Sequence, residues 1–351
     1  MRQRPRMLFR LEVAAIVLSV MLASSTVMAQ NETEGFTAPR TPWGAPDLQG
    51  VWDFRTITPM ERPADLSDTA VLSDEEASRI ETERQRERAA RDAELPFDTV
   101  GNYNQFWFDP GTTVIDTKRT SLVVDPPDGR IPALTADAAR RREAGTEAGR
   151  GLRRHTPTLG GFVEDLGPGG VQVRCILGFN SGPPMAPGGY NQNMQLFQTE
   201  DYVVILNEMI HDARIVPLDG SAHLSQQIQQ WTGDSRGRWD GNTLVIETTN
   251  FLRGTAFQSE LTGPRLQLTE RFTRVAPNIL MYEVTVDDPT AYTRPWTYQI
   301  PMQQNDQALY EYACHEGNYG LYNILAAARD NPEANILTLE QVAEEAARRA
   351  R

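Results

Sequence analysis

The chain has 351 residues, 40% of them hydrophobic, and carries 34 Lys and Arg against 47 Asp and Glu for a formal net charge of −13. A surface this acidic repels phosphate backbones and anionic lipid headgroups, which argues against nucleic-acid and membrane partners. The length suffices for one large domain, or for one domain with a substantial appendage.

Residues 1–29 read as a signal peptide. Arg2, Arg4, Arg6 and Arg10 give a basic start, "LEVAAIVLSVMLASS" an apolar run, and Val27-Met28-Ala29 small residues for cleavage before Gln30. The run is short and carries Glu12, so it does not suit a membrane span. Cleavage removes four arginines and one glutamate, and the charge of −13 becomes −16. The mature chain is expected in the periplasm or outside the cell.

Residues 30–165 are rich in proline and glycine and are expected to wrap a sheet. "TPWGAPDLQGVWDF" carries a short strand at Gly50-Val51-Trp52. "LSDEEASRIETERQRERAARDAEL" predicts a helix opened by a Ser73–Glu76 capping box and stopped by Pro96, with charge all round. "TSLVVDPPDGRIPAL" predicts a strand and turn, and "TADAARRREAGTEAG" a second polar helix.

The texture changes over 166–328. "VQVRCIL", "MQLFQT", "DYVVILNEM", "DARIVPL", "NTLVIETTNF", "LQLTERFTRV", "ILMYEVTVDD", "RPWTYQI" and "ALYEYAC" recur as strand-like runs. Turn residues separate them, most clearly in the hairpin "GRWDGNTLVIET". Many strands with short connections predict a mainly β fold built on an antiparallel sheet, closed as a barrel or packed as a sandwich. Residues 329–351 end in "LTLEQVAEEAARRAR", a terminal helix with arginines at its negative end.

Cys175 and Cys314 are the two cysteines of the chain. In an oxidising compartment the pair is expected to form a disulfide, against the alternatives of two buried thiols or a reactive Cys314.

The stretches "TPWGAPDLQGVWDFRTITPMERP", "SLVVDPPDGRIPAL", "HDARIVPLDG", "GDSRGRWDGNTLVIETTNF", "YEVTVDDPTAYTRPWT" and "YEYACHEGNYGL" resemble the signature stretches of an uncharacterised family of exported bacterial proteins. That resemblance spans nearly the whole mature chain and implies no activity for any residue. Gly50-Val51-Trp52 is similar to the opening of lipocalin-type barrels, in which the indole plugs one end.

Chemistry-bearing residues concentrate in the β-rich part. In "NEMIHDARIV" a strand period puts Glu208, Asp212 and Arg214 on one face, where acid and base can pair, and His211 on the other. In "YEYACHEGN", Glu311 and His315 share a strand face about 13 Å apart; Glu316 follows where the strand breaks. A histidine beside carboxylates suits general acid–base work, so His315, His211, Asp212, Glu316 and Glu311 are the candidate catalytic residues. Taken singly, each histidine reads better as a structural residue, such as a donor to a backbone carbonyl at a strand end; it is the set that suggests a site.

Tyr190, Asn191 and Asn193 follow the flexible "SGPPMAPGG" and are expected at a pocket mouth. With Arg214, Trp296 and Tyr298 they are the candidate substrate-binding set; the aromatics serve equally as core filling. A metal held by His211, His223 and His315 with Asp212 or Glu316 is the alternative use of the histidines, although their spacing matches no ligand motif. No organic cofactor is expected, since no phosphate loop or zinc-type cysteine spacing occurs. The leading reading is an exported lyase, isomerase or hydrolase working by acid–base chemistry in a barrel cavity. The alternative is a non-catalytic periplasmic carrier of a small hydrophobic ligand.

Overall fold

The computed structural model describes residues 36–94, 108–149, 170–252, 265–319 and 321–322. The leader over 1–29, Pro96 and the terminal helix expected over 329–351 lie outside the described residues. Ten strands form one antiparallel sheet. They are β1 Gly50–Asp53, β2 Val123–Asp125, β3 Asn193–Gln198, β4 Tyr202–Asn207, β5 Ala213–Pro217, β6 Asp234–Asp240, β7 Thr243–Thr249, β8 Gln267–Ala276, β9 Ile279–Asp287 and β10 Trp296–Asn305. The helices are α1 Asp74–Glu94, α2 Ala136–Gly149 and the single turn α3 Gly170–Val173.

The spatial order is β5-β4-β3-β1-β10-β9-β8-β7-β6, with β2 laid against β10. The proline-rich stretch 30–165 therefore supplies two strands as well as covering segments. β1 sits between β3 and β10, pairing Trp52 with Met194 on one side and Gln304 on the other.

Alternation makes the core. Along β9 the residues Leu280, Tyr282, Val284 and Val286 are buried while their neighbours are not, the period-two pattern of a half-buried strand. Val203, Ile205 and Val216 from β4 and β5 join one apolar cluster with Leu244, Ile246, Leu268 and Phe272 from the far strands. The sheet thus curls until its two ends face each other. Trp52 is fully buried, donates from its indole N–H to the Leu48 carbonyl at 2.9 Å, and lies under the Arg274 guanidinium.

The expected closure into a barrel does not occur: among the described residues no backbone ladder joins β5 to β6, and the curled sheet fits a sandwich-like architecture. Side chains span the seam instead. A Cβ on Gly237 of β6 would stand 2.6 Å from the Leu218 and 3.0 Å from the Val216 side chain, so a larger residue there would have to push these methyl groups aside where the two edges meet.

Local signals held where they had a mechanism. Ser73 donates its amide to Glu76 at 2.8 Å and its hydroxyl accepts the Glu76 amide at 3.2 Å, completing the capping box of α1. Gly241 at φ 59° opens the two-residue loop joining β6 to β7.

Two expected strands are absent. "VQVRCIL" instead begins with α3 and turns sharply: the Cys175 and Ile176 amides are satisfied locally by Gln172 and Val171, and Cys175 is left-handed at φ 55°. "ALYEYAC" runs past the end of β10, where β1 and β9 already occupy both flanks of that strand. Its Tyr310 amide bonds to the Glu208 side chain rather than to a ladder.

Candidate active site at the disulfide-pinned corner

The start of β3, the end of β4, the start of β5 and the end of β10 converge at one corner. Asn193 accepts the Glu208 amide at its carbonyl, 2.9 Å, and an Asn305 amide proton at its side chain, 2.9 Å. Onto this corner the disulfide Cys175–Cys314 ties two segments 139 residues apart in sequence, with a Cα–Cα distance of 5.8 Å. Cys314 therefore forms the expected disulfide. The Asn318 side chain donates to the Cys314 carbonyl at 3.1 Å and accepts the Leu321 amide at its Oδ1, 3.0 Å, so the chain beyond the bridge is fixed too.

Glu208 is the staple of the corner. It is buried; one carboxylate oxygen accepts from the Asn193 side chain at 2.8 Å and the other from the Tyr310 amide at 3.3 Å. The sequence-based placement of Glu208, Asp212 and Arg214 on one strand face fails here. A tight 3₁₀ turn, Met209–His211, breaks the strand between β4 and β5.

That turn holds His211 in a costly conformation. Ile210 has φ 64° and His211 φ 47°, consecutive left-handed residues without a glycine. Such conformations cost on the order of 1–3 kcal/mol each and persist where surroundings dictate them. Here the fixing contact is Nδ1 of His211, 3.1 Å from the Tyr312 carbonyl. A carbonyl only accepts, so Nδ1 carries the proton of this bond, and in the neutral form of this exposed ring Nε2 is the nitrogen without one. Asp212, next in sequence, is half-buried. Burial raises its pKa, outweighing the Ala213 amide and the positive fields of Arg214 and His211. An imidazole held at Nδ1 and a carboxyl whose pKa burial raises are thus neighbours in sequence at this corner.

Aromatic rings wall the corner. Tyr190 and Tyr312 lie nearly parallel with centroids 6.3 Å apart, and Phe179 meets Tyr190 edge-on at 5.2 Å. The Tyr312 phenol is pushed up to about 12 by burial and by Tyr190 beside it. Asn180, buried, donates to the Tyr190 and Asn191 carbonyls at 3.0 and 3.2 Å and so shapes that loop. Asn191 is left-handed at φ 50°.

A second polar constellation lies inside the sheet. Arg214 forms a two-pronged ion pair with Glu270 of β8, one prong at 2.9 Å. Glu270 also accepts from the Tyr282 hydroxyl at 2.7 Å. That hydroxyl accepts the Met185 amide at 3.1 Å, and the Met185 carbonyl accepts from Tyr298 at 2.7 Å. The "SGPPMAPGG" loop, expected to line a mouth, thus inserts Met185 fully into the interior. Burial drives both phenols well above their usual range. Every polar atom named in this chain is spoken for within it, which suits a structural latch across the β5–β6 seam.

A third arrangement pairs His223 with Asp234, Nδ1 to carboxylate at 2.8 Å. Burial alone would raise Asp234, yet its carboxyl is held below the usual range by the Leu224 amide, His223 and Arg236.

The structure accordingly unites His211, Asp212, Tyr190, Asn191 and Asn193 with the 309–319 segment. His315, Glu311 and Glu316 stand exposed on that segment. Trp296 and Tyr298 are fully buried, Trp296 against Tyr292 at 5.7 Å, so both fill the core. Arg214 is buried on Glu270 rather than paired with Asp212 or turned to a mouth. Among the described residues no three or more of His, Cys, Asp and Glu are grouped as metal ligands would be; His211, His223 and His315 do not assemble. Also among the described residues, no helix is long and apolar enough to cross a membrane.

Glu270, Met185 and the His223–Asp234 pair were not singled out from the sequence. A glutamate between Leu268 and Phe272 in an alternating strand was the readable sign of a buried charge. No family model, no curated protein and no solved structure matches the chain.

Proposed function

We propose that this is an exported small-molecule enzyme using general acid–base chemistry, a lyase, isomerase or hydrolase, with its working groups at the corner rather than inside the sheet. The observation that carries the reading is His211: a strained turn and the Tyr312 carbonyl fix its ring, and Nε2 is left to take a proton. Asp212, next in sequence and with its pKa raised by burial, is the carboxyl we assign to work with it. Export is supported by the basic and apolar leader and by the disulfide. The carrier reading draws less support, because Met185 and the apolar cluster occupy the interior where a hydrophobic ligand would sit.

The test is turnover of a panel of p-nitrophenyl esters, sugar lactones and glycosides by the mature protein and by His211→Gln. Substrates turned over by the wild type should lose about 10²–10⁴ in rate in the variant, the usual contribution of a positioned base. The melting temperature should hardly move, since the ring is exposed. Unchanged turnover, or loss only through unfolding, would remove His211 from the chemistry.

A further inference from the structure

The outer face of β3, β4 and β5 is apolar, unlike a sheet face left to water. Strand register sets Phe197, Val204 and Ile215 in one cross-strand row, with Leu206 beside Ala213 in the next and Tyr202 beyond. Phe197, Tyr202 and Ile215 are 42, 45 and 62% exposed, so nothing among the described residues seals this face. The outward pairs at the middle of β8 and β9 are Thr269–Thr285 and Arg271–Glu283, the polar choice of a solvated face. A contiguous apolar patch on the outside marks a surface that something occupies.

Its size selects the occupant. Three strands about 4.8 Å apart and about five residues long make a face roughly 10–15 Å by 17 Å. That falls far short of the about 800 Å² each partner gives a standard protein–protein interface, which weighs against a second copy of the chain. One α-helix, about 10–12 Å across, fits it.

The chain supplies such a helix. Over 336–350, Ile336, Leu339, Val342, Ala343, Ala346 and Ala350 recur at helical spacing and fall on one side, opposite Glu344, Glu345 and Arg348. This stretch lies outside the described residues; as a helix it would be about 22 Å long. The described residues stop at Tyr322, just past the corner that adjoins the patch. There the Tyr312 carbonyl meets His211, two residues before Ala213. The residues between 322 and 336 reach up to about 45 Å when extended, ample for a helix that starts at this corner and runs along β5. Arg348 and Arg349 would then arrive at the β3–β4 turn, where Glu200 and Asp201 are exposed. We infer that residues 336–350 form an amphipathic helix whose apolar side docks on the outer face of β3, β4 and β5. The inference is independent of the acid–base reading of His211.

The experiment places the photo-crosslinker p-benzoylphenylalanine at position 197 of the full mature protein. Products are identified by mass spectrometry after trypsin, which releases residues 330–348 as one peptide. The expected product is a monomer in which position 197 is joined to that peptide. Ile336→Glu with Leu339→Glu, changes outside the sheet, should cut its yield on the order of tenfold and speed amide exchange over 336–347 by a similar factor, leaving β8 and β9 unchanged. Glu345→Ala, on the charged side of the helix, should change neither. A crosslinked dimer, or a monomer with no bond to 330–348, overturns the inference. So does wild-type exchange over 336–347 as fast as in an unfolded peptide.

Discussion

Arg214→Ala is expected to cost about 3–5 kcal/mol of stability, the range for removing one partner of a buried ion pair. The cost comes from Glu270, fully buried on the sheet interior, which would keep the Tyr282 hydroxyl but lose its cation. At a few degrees per kcal/mol, calorimetry should show the melting temperature falling on the order of 10 °C. Joining Arg214→Met to Glu270→Gln should recover much of the loss. The charge is then gone from both sides, and the amide oxygen still accepts from Tyr282. A drop under ~1 kcal/mol in Arg214→Ala would mean that water already reaches the pair, and the seam between β5 and β6 would need another fastening.

Loss of the Cys175–Cys314 bridge carries the second large effect. Closing a loop between residues 139 apart has a chain-entropy ceiling of ~5 kcal/mol, and removal of native bridges typically costs about 2–5. The double change Cys175→Ala, Cys314→Ala should therefore lower stability by a few kcal/mol. It should also release the corner, because Cys314 lies two residues from the carbonyl that holds His211. Amide exchange over 310–318 should quicken far more than in β8 and β9, whose ladders are remote from the bridge. Thiol counting in denatured wild-type protein should find none; two reactive thiols would remove the bridge from the account.

Much of this fold was legible because its signals are local. Asp240-Gly241-Asn242 announced a hairpin, Ser73 and Glu76 a helix start, and period-two apolar runs the strands from β3 to β10. What escaped is set by pairing over distance. "VQVRCIL" and "ALYEYAC" alternate like strands, but a strand needs a free neighbour, and β10, which "ALYEYAC" follows, has both flanks taken by β1 and β9. Likewise a strand period across Glu208–Arg214 missed the left-handed turn at Ile210, a residue whose branched side chain disfavours that conformation. The cysteine pairing was readable from compartment and count. That His211 would meet the Tyr312 carbonyl was not, since it depends on the bridge and on Glu208 together. Met185 was hidden for a related reason: nothing in a proline-glycine loop says which residue will be driven inward.

The most direct test of the account is the tautomer of His211, read from ¹⁵N chemical shifts and long-range ¹⁵N–¹H couplings in imidazole-labelled protein at a pH where the ring is neutral. The account predicts a proton on Nδ1, bonded to the Tyr312 carbonyl, and an unprotonated Nε2. A proton on Nε2, or the averaged shifts of a freely exchanging imidazole, would contradict it.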